Sequence, residues 1–274
     1  MSTSKLPPTK IKHRNAEDLA AGYSGKMRVL EWLAIFTFLA FSGTLIYRLS
    51  PYFETHASLL LSALLLGWLG ADFVSGLVHW AGDTWGSPEM PVLGQSFVRT
   101  FREHHVDQLS ITRHDFVEVN GSNCLVSLPV LLVALLVDVT GDGNTPLFGV
   151  AFMTSLTLWV FLTNQIHKWA HQENPSRAVR FLQRTHLILG AEHHSIHHAA
   201  PYDKYYCITT GWLNGPLHAI GFYRRLERLI TRVTCAIPRA DDIGKSAALA
   251  IDPSQQHEKT SSSPSHAHPQ SKTT

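Results

Sequence analysis

Four long apolar segments constrain the fold of this chain more than any other feature of its sequence. They cover residues 29–47, 58–78, 124–139 and 146–163. An α-helix needs about 20 predominantly apolar residues to cross the hydrocarbon core of a bilayer. Charged residues make up only 16% of the chain, whereas soluble domains contain about 25%. The sequence therefore predicts an all-α integral membrane protein with about four transmembrane helices.

Polar regions flank these segments at both ends of the chain. Residues 1–27 form a polar N-terminal lead, and residues 243–274 form a tail rich in Ser, Pro, His and Gln, a composition typical of disorder. Residues 28–242 are predicted to form one domain that contains all four spans. The net charge is only +2, so the global charge gives no indication that the chain binds nucleic acid.

The distribution of Lys and Arg predicts the orientation of the spans. Basic residues are frequent in the N-terminal lead, in the segment after the second span and in the segment after the fourth. The first and second spans are joined by a segment with Arg48 as its single basic residue, and the third and fourth by a segment with none. Cytoplasmic loops carry the excess of Lys and Arg. Both termini and both long segments are therefore predicted to be cytoplasmic, where they form a cap over the bundle.

Histidines are concentrated at the predicted cytoplasmic end of the bundle. His167 and His171 have the i, i+4 spacing that places two side chains on one helix face, and residues 193–198 contain two interleaved pairs with this spacing. Burying so many imidazoles without partners would cost several kcal/mol, so the pattern predicts metal binding. The candidate ligands are His79, His104, His105, His114, His167, His171, His193, His194, His197 and His198.

Two further residues are candidates for catalytic roles, namely Asp83 and His186. Asp83 follows His79 with the i, i+4 spacing. His186 precedes the 193–198 group, although Gly190 can break a helix between them. Asp72 shares the face of His79 and is predicted to point into the bundle, because a carboxylate facing lipid is costly.

The type and number of ligands narrow the choice of metal. Neither His pair contains the Glu of an HExxH zinc hydrolase, and a structural zinc needs four ligands. Imidazole suits iron, copper and zinc alike, but the surplus of ligands favours two ions. Two irons can share the electrons that cleave dioxygen. No thiolate or haem motif is present, so the electrons are predicted to come from an external donor.

Several stretches of this sequence resemble the Kua-type membrane lipid desaturases. The resemblance covers about residues 28–242. The matching stretches are Ala71–Trp80, Gly82–Gly86, Phe101–His105, Ile111–Phe116, Thr163–Trp169, His193–His198, Cys207–Asn214 and Pro238–Asp242.

The resemblance implies an O2-dependent di-iron enzyme that forms the vinyl ether bond of plasmalogens. Its substrate would be a 1-alkyl-2-acyl-glycerophosphoethanolamine, and its electrons would come from a cytochrome b5-type donor. It would lie in the endoplasmic reticulum of a eukaryote or the inner membrane of a bacterium. The two named histidine boxes of the family match residues 167–171 and 194–198. The usual first box is replaced by His79 and Asp83, which leaves open whether Asp83 is a ligand or orients an imidazole.

Three alternatives remain at this stage. The first is a related desaturase or hydroxylase that acts on an acyl chain of another phospholipid. A metal transporter needs ligands near the midplane of the membrane, where Asp72 is the one deep candidate. A metal-stabilised scaffold needs fewer ligands. Residues 216–233 also predict an amphipathic helix with a basic side, suited to anionic headgroups, to an acidic electron donor or simply to packing on the bundle.

Overall fold

The computed structural model describes residues 23–86, 90, 94, 98–141, 143–199, 202–236 and 238. Most of the predicted N-terminal lead and the predicted disordered tail lie outside these residues. Within the described ranges the regular elements are helices, without strands. They are α1 (Gly25–Leu49), a 3-10 turn (Ser50–Tyr52), α2 (Ala57–Thr84), α3 (Arg99–Val106), α4 (Ser110–Arg113), α5 (Phe116–Leu136), α6 (Asn144–Ala170), α7 (Arg177–Arg184), α8 (Ala191–Ser195), α9 (Asn214–Ala219) and α10 (Phe222–Thr234).

Four of the described helices, α1, α2, α5 and α6, are long and apolar enough to cross a membrane. This confirms the predicted all-α membrane fold. Each of these helices extends beyond its apolar run at one end at least, because polar residues at a helix end do not belong to the run that predicts it. At its other end α5 stops at Leu136, before the predicted residue 139. The extensions matter for function: α2 continues to Thr84 and α6 to Ala170, so His79 lies in the penultimate turn of α2 and His167 in the last turn of α6. The third of the long helices, α5, begins at Phe116 rather than at Cys124. Asp115 caps it by accepting the N–H groups of Val117 and Glu118.

Glycines allow close approach where pairs of the long helices contact each other. A Cβ at Gly67 of α2 would lie 2.6 Å from the Ser155 side chain of α6, and one at Gly121 of α5 would clash with the Glu31 side chain of α1. Small residues at such points let backbones approach within a membrane, where dispersion contacts stabilise helix pairs. Large apolar side chains on the outer surface, such as Phe36 and Leu65, are more than half exposed, as expected for side chains that face lipid.

The short helices lie at the end of the bundle where α2 and α6 end and α5 begins. The predicted amphipathic helix over residues 216–233 is wrong as a single element. Gly221 adopts a left-handed conformation (φ +61°) and separates α9 from α10. Tyr223 of α10 packs against Trp80 of α2 and Leu217 of α9. The cap is therefore fixed to the long helices by aromatic contacts.

Candidate metal centre

Five histidines from three parts of the chain form the first ligand group. They are His104 of α3, His167 of α6, His171 at its C-terminal end, His194 of α8 and His198 just beyond it. One nitrogen from each lies within 4.8 Å of those of all the others. His104, His167 and His194 are buried. The two histidine boxes, residues 167–171 and 194–198, therefore meet in the folded chain, and His104 of α3 completes the group.

The nitrogen–nitrogen distances in this group are those of neighbouring ligands. The Nε2 atoms of His167 and His194 are 2.8 Å apart, and the Nε2 of His198 is 3.0 Å from those of His104 and His194. Two nitrogen ligands at right angles, about 2.1 Å from one ion, would be about 3.0 Å apart. A neutral imidazole has one N–H and one lone pair. Hydrogen bonds therefore cannot satisfy five converging Nε2 atoms, whereas one cation can.

The second ligand group combines three histidines with a carboxylate: His79, Asp83, His105 and His197. The Oδ2 of Asp83 is 3.4 Å from the Nε2 of both His79 and His197, and its Oδ1 is 2.9 Å from the Nε2 of His105. The Nε2 atoms of His79 and His197 are buried and form no hydrogen bond with a described residue. Such orphaned nitrogens are costly in a protein interior. They fit the position of metal ligands.

The opposite edge of two of these rings is held by backbone carbonyls. The Nδ1 of His79 donates to the carbonyl of Tyr206 (3.0 Å), and the Nδ1 of His197 donates to that of Lys204 (3.0 Å). A donated Nδ1–H fixes the tautomer and leaves the Nε2 lone pair for a metal. Both carbonyls belong to the segment of residues 202–213, which has no regular structure and in which Tyr202 and Tyr205 have positive φ. This strain is compatible with a segment shaped for the site.

Residues of α2 anchor the same segment a few positions later. The Oδ1 of Asp72 accepts the N–H groups of Thr210 and Gly211, at 2.7 and 2.9 Å, and its Oδ2 accepts that of Leu213 at 3.1 Å. Ser75 accepts the N–H of Ile208. Asp72 is fully buried, as the sequence predicted. One face of α2 therefore carries both the anchors of the segment and the candidate ligands His79 and Asp83.

Burial keeps the imidazoles of His104, His171 and His194 neutral. Desolvation lowers the pKa of His104 and His194 well below the usual value of histidine, and it lowers the pKa of His171 to about 4. Neighbouring histidines add to the shift, because a second positive charge nearby would be repelled. A neutral ring retains the lone pair that metal binding requires.

The two groups are adjacent. The ring centroids of His79 and His167 are 5.5 Å apart, and those of His197 and His198 are 5.1 Å apart. The 193–198 motif therefore contributes to both groups, but not as one regular helix, because α8 ends at Ser195. Two ions bound here would be close neighbours.

Three predicted site residues lie outside both groups. The Nε2 of His114 lies 2.9 Å from the Oε1 of Glu103. The Nε2 of His193 lies 3.1 Å from the Nδ2 of Asn214, and its ring stacks on Tyr205. His186 is exposed and has positive φ, and the extended N-cap Gly190 separates it from α8. Sequence reasoning did not find the Lys204 and Tyr206 carbonyls. No side-chain signal marks a backbone group.

Comparison with known proteins identifies the family. The model of the lipid desaturase domain matches residues 68–241. The chain is 54% identical to the plasmanylethanolamine desaturase of Myxococcus xanthus, covering 88% of this chain and 85% of the relative. It is 47% identical to plasmanylethanolamine desaturase 1 of Mus musculus, covering 85% and 88%. The chain belongs to the lipid desaturase family. It is 31% identical to the chloroplastic fatty acid desaturase 4 of Arabidopsis thaliana, over 64% of this chain and 53% of the relative.

No solved structure matches this lipid desaturase. Family membership makes the chain a membrane oxidoreductase that acts on a lipid, and the two histidine groups have the geometry to hold metal ions. A cavity extends from the first ligand group between α2, α3, α4, α5 and α6. Its wall includes Val78, Phe101, His104, Ile111, His114, Glu118, Val119, Ser122, Asn123, Asn164 and His167. The cavity brings apolar and polar side chains to the edge of the candidate metal centre.

Proposed function

We propose that this desaturase introduces the vinyl ether double bond into 1-alkyl-2-acyl-glycerophosphoethanolamine, which yields a plasmalogen. The observation that carries the proposal is the adjacency of two ligand groups at one end of four long apolar helices. Two relatives that share about half of its residues over most of its length are named plasmanylethanolamine desaturases. Residues 28–242 would form the enzymatic domain, between a polar lead and a polar tail.

We propose two irons as the cofactor, one in each ligand group. Bound there, iron would supply the activation of dioxygen and the one-electron chemistry that an unactivated C–H bond requires. Asp83 is better suited to be a ligand than an orienting residue. Its oxygens face the Nε2 edges of His79 and His197, whereas the Nδ1 edges, where orienting partners act, are already occupied by carbonyls.

The side chains of the desaturase would hold and shield the reacting groups. The cavity beside His104 and His167 would receive the two carbons next to the ether oxygen. Burial would keep water from the centre and preserve neutral imidazoles. The overall reaction consumes one O2, two electrons and two protons, and releases two waters. A cytochrome b5-type protein would supply the electrons, since the chain has no cofactor motif for carrying them.

The proposal is tested by expressing the chain in a plasmalogen-free cell and analysing its lipids by mass spectrometry. We expect acid-labile vinyl ethers in the ethanolamine phospholipids. A cell with His194→Ala would provide the inactive control. New double bonds in acyl chains, with no vinyl ether, would instead support the function named for the Arabidopsis relative and would overturn the proposal.

We propose that the metal centre faces the cytoplasm, in the endoplasmic reticulum or the bacterial inner membrane. The test uses a Cys235→Ser background, because Cys235 is exposed while Cys124 and Cys207 are buried. In this background, a cysteine replacing exposed Gln108 should react with an impermeant maleimide from the cytoplasmic side. One replacing exposed Asn144, at the start of α6, should react from the opposite side. Reversed labelling would contradict the orientation.

A further inference from the structure

A cation and an anion lie on either side of His114 in the cap. The Nζ of Lys168 donates to the backbone carbonyl of His114. The Nδ1 of His114 lies 3.6 Å from the Oε1 of Glu118. His114 and Glu118 line the cavity that reaches His104 and His167. Glu118 thus lines the cavity, and Lys168 contacts the backbone of another lining residue, His114.

Each of the two charged side chains keeps polar atoms without a partner among the described residues. The Oε1 of Glu118 lies 3.2 Å from Arg99, whose guanidinium also pairs with Glu103 at 2.9 Å. Two carboxylates therefore share one guanidinium. The Oε2 of Glu118 forms no hydrogen bond with a described residue. Lys168 has three N–H donors, and it pairs with no carboxylate in the described ranges. The Oε2 of Glu118 and two of the three N–H donors of Lys168 therefore remain available among the described residues.

We propose that the cluster of Lys168, His114 and Glu118 binds a zwitterionic aminophospholipid headgroup. Lys168 would contact the phosphate, and Glu118 would accept hydrogen bonds from the primary ammonium. This inference rests on the proposed function, because the carbons next to the ether oxygen bring the glycerol and its headgroup close to the ligands. Charge-assisted hydrogen bonds of this kind are stronger than neutral ones. A quaternary ammonium has no N–H to donate, so choline lipids would bind less well.

Glu118 and Lys168 could instead serve stability alone, since an acidic residue in the first turn of α5 is favourable in any case. The test therefore measures selectivity. Purified wild type, Glu118→Gln and Lys168→Gln are each mixed with equal amounts of 1-alkyl-2-acyl-glycerophosphoethanolamine and its phosphocholine equivalent. Retained lipid is counted by native mass spectrometry and turnover is measured separately. Glutamine keeps an acceptor at 118 and a donor at 168 but removes the charge.

We expect the wild type to retain the ethanolamine lipid with at least about tenfold preference, the effect of one charge-assisted hydrogen bond. Glu118→Gln should bring the preference close to one. Lys168→Gln should weaken retention of both lipids by about tenfold alike, because both carry the phosphate. Iron content and melting temperature should match those of Glu173→Gln, an exposed control outside the cavity.

An unchanged preference in Glu118→Gln, with folding intact, would overturn the inference. If Glu118→Gln fails to fold, wild-type retention of both lipids in Lys168→Gln would overturn it equally. A wild type that prefers the ethanolamine lipid but forms no vinyl ether would refute the proposed function and leave the headgroup site supported.

Discussion

Replacing His194 with alanine is expected to abolish vinyl ether formation while the protein stays in the membrane. The Nε2 of His194 lies within 3.0 Å of those of both His167 and His198, so its loss opens the centre of the first ligand group. Even a residue that only orients a ligand changes metal affinity about 10–100-fold, and a lost ligand should reduce turnover by at least about 100-fold. Insertion should survive, because the four long helices depend on apolar surface and helix contacts.

The same result is expected for each of the other histidines that the two boxes contribute to the groups: His167, His171, His197 and His198. Iron per chain, measured by elemental analysis of detergent-purified protein, should fall from about two with the loss of turnover. Removing two ligands of one group should cost little more than removing one, because the ligands act as a unit. His218→Ala, an exposed position outside both groups, is the control. Full activity in His194→Ala, or stoichiometric zinc without iron in active protein, would refute this assignment.

Asp72→Asn is expected to destabilise the protein and to loosen the second ligand group. An amide has one acceptor oxygen where Asp72 uses two for three backbone N–H groups, and its NH2 would face a donor. Leaving one buried N–H unsatisfied costs about 1–3 kcal/mol. The anchored segment also supplies the carbonyls that hold His79 and His197. Iron affinity should therefore fall about 10-fold or more.

Thermal unfolding and iron titration measure these two effects separately. Asp138→Asn is the matched control, because Asp138 is exposed and bonds locally to Thr140. Its iron affinity should equal that of the wild type. If Asp72→Asn unfolds at the wild-type temperature and binds iron as tightly, the anchoring role of Asp72 is wrong.

The sequence by itself determined the membrane architecture of this protein. An apolar run of bilayer length has few alternatives, because a spanning segment must satisfy its backbone hydrogen bonds within itself. The concentration of histidines at one end of the spans followed directly from their positions along the chain. The buried placement of Asp72 was also predictable from the sequence, because a carboxylate that faces lipid is costly.

The tertiary structure decided how these histidines divide into groups. Helical spacing correctly paired His167 with His171 and His194 with His198, because it is a local property. It did not show that His197 belongs with His79, or that His193 lies outside both groups, because the chain turns after α8. The carbonyls of Lys204 and Tyr206 could not be predicted at all. Every residue carries a carbonyl, and only the path of the folded chain determines which ones face an imidazole.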